Sequence, residues 1–435
     1  MSKFQIITIA IFVVCIIAGV ALFATYKSKN ADSTLPAITV WGVFPQSVFS
    51  NLLQQLNNTR AISLSINYVE KTESTFDKDF IETLARGQGP DAILIPQDMI
   101  VRHADKIVQI PYTVLSQRDF KNSYISQAEL YLTSTGALAI PLTIDPLVMY
   151  WNRDLFANAG IAVPPRFWDE FGGIISRIAL KDVNSNIRRS AIAMGEFGNI
   201  SHAREILGAL LLQSGNPITR IGENGAGNLA IESALGDGQY IGTKTSVPAI
   251  NFFTKFSNPN NPDYSWNRGL PISKSWFLSG SLATYFGFSS ELFDIRDKNP
   301  NIDFDVAPLP QARGGVNRTT YGSMYGLSIV RSVTNQAVTY AIIQALTSPE
   351  SLAILNKLSY LPPVRRDMIQ AGSSDPYQAI FYDSALISKS WLDINVVRTR
   401  EIFKNMVESI TSGRADSYSA IKTAHEELDL SIRNQ

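Results

Sequence analysis

The chain has few cysteines and histidines, the residues that most often bind transition metals or take part in covalent catalysis. Its 435 residues include one cysteine, Cys15, and three histidines, His103, His202 and His425, which lie far apart in the sequence. These numbers exclude an internal disulfide and a cysteine-based metal site, and the histidines lack the spacing of a metal motif. The Gly225–Ala230 segment matches a dinucleotide fingerprint by its letters, but it lies in a region rich in Gly and Asn without a convincing strand pattern before it. Neither a Walker A loop nor a Gly-x-Ser-x-Gly elbow occurs. We therefore expect no catalytic residues, no metal and no cofactor.

An excess of one charge is also missing. The chain has 38 Lys and Arg against 38 Asp and Glu, so its formal net charge is zero. Proteins that bind nucleic acid usually have a basic patch or stripe, often with aromatic residues between the basic ones. No such stripe is present, and we expect no nucleic-acid partner.

The longest uncharged run lies at the N-terminus, over Phe4–Tyr26. It is long enough to cross a bilayer as a helix. We favour an uncleaved membrane anchor, because the run exceeds the ~7–15 residues of a signal-peptide core. A cleaved signal with a cut near Ala24 is the second interpretation. A lipoprotein signal ending at Cys15 is the third, although Val14 stands where a small residue is expected.

Strand and helix patterns alternate after a short polar linker. Ile38–Trp41 has strand character, and apolar residues over Val48–Leu56 recur at helical spacing. Ile62–Tyr68 alternates like a half-buried strand, a helix follows up to Gly87, and Asp91–Ile95 is a short apolar strand. This order predicts a parallel sheet with helices packed on it. Because the chain exceeds the size at which one core keeps growing, we expect two lobes.

The most informative block is Gly136–Phe171. A short apolar strand ends at Pro141, a second strand over Leu147–Tyr150 follows Asp145-Pro146, and a helix begins at Arg153. Further along, Gly215–Gly238 is predicted to be a loop with a short helix. Ser348 and Pro349 form a helix-start signal, and most of the remaining chain is predicted to be helical.

Several motifs, in their order and spacing, resemble the family 1 extracellular solute-binding proteins, the maltose-binding-protein-like receptors of ABC importers. The similarity covers roughly Ile38 to Leu430, and Trp151 and Phe167 depart from the family's usual pattern. The segments that resemble the family are Leu84–Asp91 (LARGQGPD), Tyr150–Phe156 (YWNRDLF), Pro164–Glu170 (PPRFWDE), Phe277–Thr284 (FLSGSLAT), Leu346–Ser351 (LTSPES) and Leu361–Pro363 (LPP).

The resemblance implies an α/β, two-lobed periplasmic-binding-protein-like fold (type II) with an N-terminal transmembrane helix. The anchor or signal would take residues 1–27 and the linker 28–36. Lobe I would take 37–144 plus 327–358, and lobe II 145–326 plus 359–435.

The resemblance also implies a function. The chain would be a single-pass membrane protein with its large domain on the extracellular or periplasmic side. As a monomer it would capture a small ligand between the lobes, first of all a carbohydrate, and deliver it to ABC permease subunits. The alternative is a sensor that presents its bound state to a signalling partner, and no enzyme activity is expected.

Aromatic faces and a few hydrogen-bonding groups hold the ligand in such receptors. We therefore predict ligand contacts at strand ends and at crossings between lobes, where core packing or a solvated loop is the ordinary alternative for each residue. Gly287 would let a ligand approach the backbone. The candidates are Trp41, Phe44, Gln97, Asp98, Asp145, Glu196, Phe197, Phe286, Gly287, Phe288, Tyr321, Tyr325 and Trp391.

Overall fold

The computed structural model describes residues 36–59, 64–223, 229–236, 246–315 and 318–433. The predicted N-terminal anchor lies outside these residues. Contacts divide the chain into two compact units, unit 1 with Met1–Ile144 and Met324–Ala371, and unit 2 with Asp145–Ser323 and Gly372–Gln435. The chain therefore passes from one unit to the other after residues 144, 323 and 371, where the sequence analysis had placed the lobe boundaries after 144, 326 and 358.

Unit 1 is an α/β unit in which strands and helices alternate. Two of its strands, β6 (Ile140–Asn152) and β13 (Thr320–Ile329), continue into unit 2. Its other elements are β1 (Ile38–Gly42), α1 (Gln46–Thr59), β2 (Ile66–Glu70), α2 (Glu73–Ala85), β3 (Ala92–Pro96), α3 (Gln97–Arg102), β4 (Ile110–Pro111), α4 (Gln117–Ser123), β5 (Gly136–Ala137), α11 (Gln336–Leu346), α12 (Pro349–Ser359) and α13 (Arg366–Ala371).

Three neighbouring strands of the unit 1 sheet are parallel, as predicted. β1 pairs in parallel with β2 and β3, and β13 joins β3 antiparallel. Every residue of β3 is buried, which agrees with its unbroken apolar run. Phe49 of α1 stacks on Tyr68 of β2 with ring centroids 4.1 Å apart, so the helix packs its apolar face on the sheet.

Two predicted helix signals are confirmed in this unit. Gly87 follows the end of α2 with φ +69°, and its backbone N–H donates to the Leu84 carbonyl across 2.9 Å. Glycine adopts this conformation without the steric penalty of a β-carbon. Ser348 caps α12, because its hydroxyl accepts from the Ser351 N–H, and Pro349 occupies the first turn.

Unit 2 is larger, and its helices and strands come from two separate stretches of the chain. It contains the later part of β6 and the earlier part of β13. Its other elements are α5 (Arg153–Asn158), α6 (Phe171–Ile178), β7 (Leu180–Lys181), β8 (Ile187–Ile192), α7 (Ala203–Gln213), β9 (Thr219–Glu223), β10 (Leu229–Ser233), α8 (Ser246–Thr254), α9 (Ser273–Leu278), β11 (Leu282–Phe288), α10 (Glu291–Lys298), β12 (Phe304–Pro308), α14 (Pro376–Leu386), β14 (Ser388–Lys389), α15 (Val396–Thr411) and α16 (Ser417–Arg433).

The sheet of unit 2 is mixed. β11 pairs in parallel with β8 and antiparallel with β6, which also pairs antiparallel with β12. β14 runs parallel to the first residues of β13, through Thr320 and Tyr321. The carboxyl ends of β8 and β11 therefore lie at the edge where the unit 2 part of β6 begins.

Two predicted elements are wrong. The strand ending at Pro141 and the strand over Leu147–Tyr150 form one continuous strand, β6. Proline removes one N–H from the ladder, but the Pro146 carbonyl still accepts from the Ser289 N–H across 3.0 Å, so pairing continues. The described part of the predicted 215–238 loop is an antiparallel hairpin, β9 with β10, rather than a loop with a short helix.

No single helix among the described residues has the length and apolar character to cross a bilayer. The pair α11 and α12, bent by 60° at its break, meets those criteria only when its two helices are taken together.

Candidate functional site

The carboxyl ends of the parallel strands in unit 1 collect five of the predicted site residues. This unit 1 edge consists of Trp41 and Phe44 at the end of β1, Gln97 and Asp98 after β3, and Tyr325, which pairs with Pro96 at the end of β3. Ligands of open α/β sheets bind at such carboxyl ends.

Trp41 has a cation over its ring. Lys71, directly after β2, holds its Nζ 4.1 Å from the Trp41 ring centroid and 3.1 Å from an oxygen of Asp79. Only 9% of Trp41 is exposed. The ring is therefore held by a cation–π contact that the sequence analysis did not predict.

Phe44 and Tyr325 pack edge to face, with ring centroids 5.3 Å apart. The Tyr68 hydroxyl donates to the Phe44 carbonyl across 2.7 Å and fixes the backbone after β1. Burial raises the pKa of Tyr68 well above its ordinary value, so this hydroxyl remains a donor at physiological pH.

Gln97 and Asp98 follow the end of β3, and they form the first turn of α3 rather than the solvated loop that was the alternative to ligand contact. The side-chain oxygen of Gln97 accepts from the Gln127 amide across 2.7 Å and from the Met324 N–H across 3.2 Å. Gln97 thus joins two parts of unit 1. Asp98 is buried. The pKa of Tyr131 is raised mainly by the burial of Tyr131 itself and then by the negative charge of Asp98.

The corresponding edge of unit 2 collects the other predicted residues. This unit 2 edge consists of the segment 195–202 after β8, the end of β11, the first residues of the unit 2 part of β6, and Tyr321 and Trp391 beside β14.

Asp145 is a buried carboxyl group at this edge. One of its oxygens accepts from the Ser289 hydroxyl across 2.7 Å and from the Ser290 N–H across 3.0 Å. Burial raises its pKa to about 6, and the two hydrogen bonds offset only part of that rise. Asp145 can therefore change its charge near neutral pH.

Phe286 and Gly287 were predicted to follow a strand, and they lie inside β11. Phe286 packs against Trp168 and Phe171, with ring centroids 5.4 Å and 6.3 Å away, in the core of unit 2. A β-carbon on Gly287 would lie 2.5 Å from the Tyr285 ring and 2.9 Å from Glu291. Glycine is therefore needed at position 287, because a larger residue would clash with the side chains of Tyr285 and Glu291.

Phe288, Tyr321 and Trp391 form a chain of aromatic contacts. Phe288 and Tyr321 lie 6.0 Å apart, and Tyr321 and Trp391 lie 5.5 Å apart between ring centroids. The guanidinium of Arg204 lies 4.5 Å from the Trp391 ring centroid and bonds Asp393 through two nitrogens, at 3.1 and 2.5 Å. Removing one member of such a buried pair typically costs about 3–5 kcal/mol. The pair with Asp393 therefore fixes the Arg204 guanidinium beside the rings of Tyr321 and Trp391.

Glu196 and Phe197 lie in the loop that follows β8. Glu196 is buried but faces Arg268, whose side chain is 62% exposed, across 3.4 Å. Burial raises the pKa of Glu196, and the nearby Arg268 opposes that rise. The Phe197 ring is buried, with the guanidinium of Arg400 5.8 Å away.

A polar network at the same edge was not predicted from the sequence. Glu291, at the start of α10, accepts hydrogen bonds from Tyr285 at 2.8 Å, from the Phe288 N–H at 2.9 Å, and from Lys274. His202 Nε2 donates across 2.7 Å to the same Glu291 oxygen that accepts from the Phe288 N–H, while Tyr285 and Lys274 bond the other oxygen. Burial alone would raise the pKa of Glu291, but these donors and charges lower it to about 2, so the carboxylate stays ionised. No spacing signal could reveal the network, because its members come from three separated segments, around His202, around Lys274 and over residues 285–291.

The two edges contain what reversible binding needs: partly buried rings, carboxyl groups and a few cations. No group of three or more His, Cys, Asp or Glu side chains that could hold a metal ion occurs in the described ranges. The arrangement thus offers hydrogen bonds and apolar contact.

Comparison with known proteins identifies binding proteins that are similar to this chain. A curated binding protein of Brucella abortus (strain 2308) is 18% identical over 437 residues, covering 96% of this chain and 98% of its own.

Two solved structures share the fold. A cyclo/maltodextrin-binding protein complexed with maltotetraose has a TM-score of 0.72 at 16% identity, covering 94% of this chain and 100% of its own. The cyclic alpha-maltosyl-1,6-maltose binding protein from Arthrobacter globiformis has a TM-score of 0.73 at 15% identity, covering 92% of this chain and 99% of its own. The two-lobed α/β fold expected from the sequence is thereby confirmed.

The profile that describes the bacterial extracellular solute-binding proteins matches residues 79–353. This match takes in most of the chain, including the carboxyl ends of β3, β8 and β11. The chain therefore belongs to the family of bacterial extracellular solute-binding proteins, as the motifs in its sequence indicated.

Proposed function

We propose that this protein binds a carbohydrate reversibly with residues of both edges and delivers it to an ABC permease. The observation that supports the proposal most is that each unit combines aromatic rings with carboxyl groups at the carboxyl ends of its strands. Sugar rings present apolar C–H faces to aromatic side chains, while their hydroxyls need polar partners once water is excluded.

Within unit 1, we propose that Trp41, Phe44, Asp98 and Tyr325 contact the ligand. Trp41 and Phe44 follow one strand, Asp98 follows another, and Tyr325 packs on Phe44. Gln97 is occupied by two protein partners, so we assign it a structural role.

Within unit 2, we propose that Asp145, Glu196, Phe288 and Tyr321 contact the ligand. Phe288 is half-buried and in contact with Tyr321, and Asp145 and Glu196 both belong to the unit 2 edge. The rings of Phe197, Phe286 and Trp391 are buried among protein groups and would support the site from behind.

The choice of carbohydrate is supported by the ligands named for proteins of the same fold, such as maltotetraose and mannotriose. We further propose that the uncharged run over Phe4–Tyr26 anchors the chain with its folded part outside the cell. Binding would shift the population of conformations toward the one that docks on the permease.

A ligand panel tests the carbohydrate assignment. We expect maltotetraose or mannotriose to raise the melting temperature of the full chain in detergent, and calorimetry to give one ligand per chain. Amino acids and dipeptides form the comparison arm. A shift with these alone would overturn the carbohydrate assignment, and no binding to any member would overturn the proposed ligand class altogether.

A second test concerns delivery. We expect permease genes beside the coding region, and we expect the liganded chain to stimulate ATP hydrolysis by that permease in proteoliposomes more than the unliganded chain does. Equal stimulation by both forms would contradict ligand-dependent delivery. A neighbouring histidine kinase gene and no permease gene would favour the sensory role instead.

A further inference from the structure

The imidazole of His202 has one nitrogen bound by protein and the other open. Nε2 donates to Glu291 across 2.7 Å, and Nδ1 makes no hydrogen bond to any residue that the structure describes. The side chain is 26% exposed, so the ring lies partly at the surface of the unit 2 edge.

The backbone at His202 is unusual. Its φ of 58° lies in the left-handed region, which few residues other than glycine adopt, and it caps the N-terminus of α7. Such conformations cluster at functional sites, where surrounding contacts compensate for their cost. Here the hydrogen bond to Glu291 restrains the ring from one side.

An aromatic ring contacts the imidazole of His202. The Phe288 ring packs edge to face on the imidazole, with centroids 4.9 Å apart, and Phe288 in turn contacts Tyr321. An imidazole that can form a hydrogen bond and an adjacent aromatic ring together suit the mixed polar and apolar surface of a sugar.

We propose that His202 contacts the ligand by donating a hydrogen bond from Nδ1 to a sugar oxygen, with Glu291 as the positioning residue behind it. This inference rests on the carbohydrate function proposed above. His202 was not among the residues that the sequence predicted for the site.

The charges around His202 determine its protonation. Burial lowers its pKa, but the hydrogen bond and charge of Glu291 on α10, assisted by Glu205 on α7, raise it more, while Lys274 on α9 opposes them. The net shift is upward, so the imidazole stays protonated to a higher pH than usual. Nδ1 is then a charged donor, and it becomes a neutral acceptor once the pH exceeds this pKa.

The expected pH dependence follows from this charge. A hydrogen bond from a charged donor is stronger than one between neutral groups, so affinity should fall by roughly fivefold as the pH rises through the pKa of His202. Asp145 titrates at about 6 at the same edge. Measurements from pH 6.5 to pH 9 therefore separate the two groups.

The experiment is calorimetric titration of the full chain with maltotetraose, or with mannotriose if maltotetraose does not bind. We expect His202→Asn to weaken binding by roughly 10- to 100-fold at pH 6.5 and to remove the pH step. Asparagine tolerates the left-handed backbone better than most residues, which limits the loss of stability. His425→Asn is the matched control, because His425 lies on α16 and bonds Ser233.

Glu291→Gln provides the readout that a merely structural role would not give. It keeps a hydrogen-bond partner for Nε2 but removes the negative charge, so the pH step should move to lower pH. With only three histidines in the chain, the imidazole signals can be assigned in NMR spectra by single substitution. The His202 signal should shift when sugar is added, and the pKa that it reports should fall in Glu291→Gln.

The possible failures are distinguishable. If the wild type binds sugar and His202→Asn binds it equally well with the same pH profile, the role of His202 is refuted while the carbohydrate function stands. An unchanged pH step in Glu291→Gln would refute the positioning role of Glu291. If neither sugar binds the wild type, the carbohydrate function is overturned together with this inference.

Discussion

Replacing Asp145 by asparagine should make the protein more stable in alkaline solution and leave it unchanged in acid. Only 7% of Asp145 is exposed, and burial is the main reason that its pKa rises from 3.8 to about 6. The folded protein therefore prefers the protonated carboxyl, and above pH 6 it contains an unfavourable buried charge. Asparagine removes that charge and keeps an oxygen that can accept from Ser289 and Ser290.

The size of the effect follows from the shift. About two pKa units correspond to about 3 kcal/mol, since each unit is worth about 1.36 kcal/mol. Because the folded-state pKa is raised, the contribution of Asp145 to stability is fully present below pH 3.8 and is lost as the pH rises through 6. Asp145→Asn should thus exceed the wild type by about 3 kcal/mol at pH 8 and match it at pH 3.5.

Glu291→Gln is the control of opposite sign in the same unit. The net pKa of Glu291 is lowered to about 2, because the bonds and charges of His202 and Lys274 outweigh the rise due to burial. Its stabilisation is present above pH 4.5 and is lost as the pH falls toward 2. Glu291→Gln should therefore destabilise the protein by about 3 kcal/mol at pH 8 and by about 2 kcal/mol at pH 3.5, the opposite sign to Asp145→Asn.

Urea unfolding followed by tryptophan fluorescence at pH 3.5, 6 and 8 would measure both variants. The reasoning is refuted if Asp145→Asn is no more stable than the wild type at pH 8, or if its advantage is the same at pH 3.5 and pH 8. In the second case the gain would come from packing rather than from the buried charge.

Three further predictions concern packing, binding and the N-terminus. Gly208→Ala should cost about 1–3 kcal/mol, because the new methyl group would lie 2.4 Å from the Trp391 ring, whereas Gly173→Ala, with no atom within 4 Å, should be neutral or slightly stabilising in denaturant melts. Phe286→Ala should cost about 3–5 kcal/mol of stability with little change in affinity for sugar. Trp41→Ala should change stability little and weaken binding by roughly 5- to 150-fold in calorimetry. Equal losses of stability in the two variants would mean that Trp41 is a core residue. The intact mass of membrane-extracted protein should match an uncleaved chain, and a mass beginning after the uncharged N-terminal run, or a lipid adduct on the cysteine, would contradict the anchor.

Local patterns in the sequence predicted much of the fold. The unbroken apolar run of β3 and the helical spacing of α1 indicated a parallel sheet with helices, and Gly87 and Ser348 marked helix ends correctly. These features depend on neighbours within a few residues, so the sequence alone is sufficient. The hairpin β9–β10 was not predicted, because the glycine and asparagine residues of that region are typical of loops. The pairing of the two strands is not visible in the local sequence pattern.

The candidate site divides along the same line. The sequence by itself determined the family and the alternation of strands and helices in the first unit, and hence that Trp41 lies at the end of the first strand. Only the tertiary structure decided what the side chains of the site meet, for example that Phe286 packs on Trp168 or that His202 bonds Glu291, 89 residues away. The alternation of strands and helices along the chain follows from local periodicity, whereas burial, charge pairing and pKa depend on partners that folding brings together from distant parts of the chain.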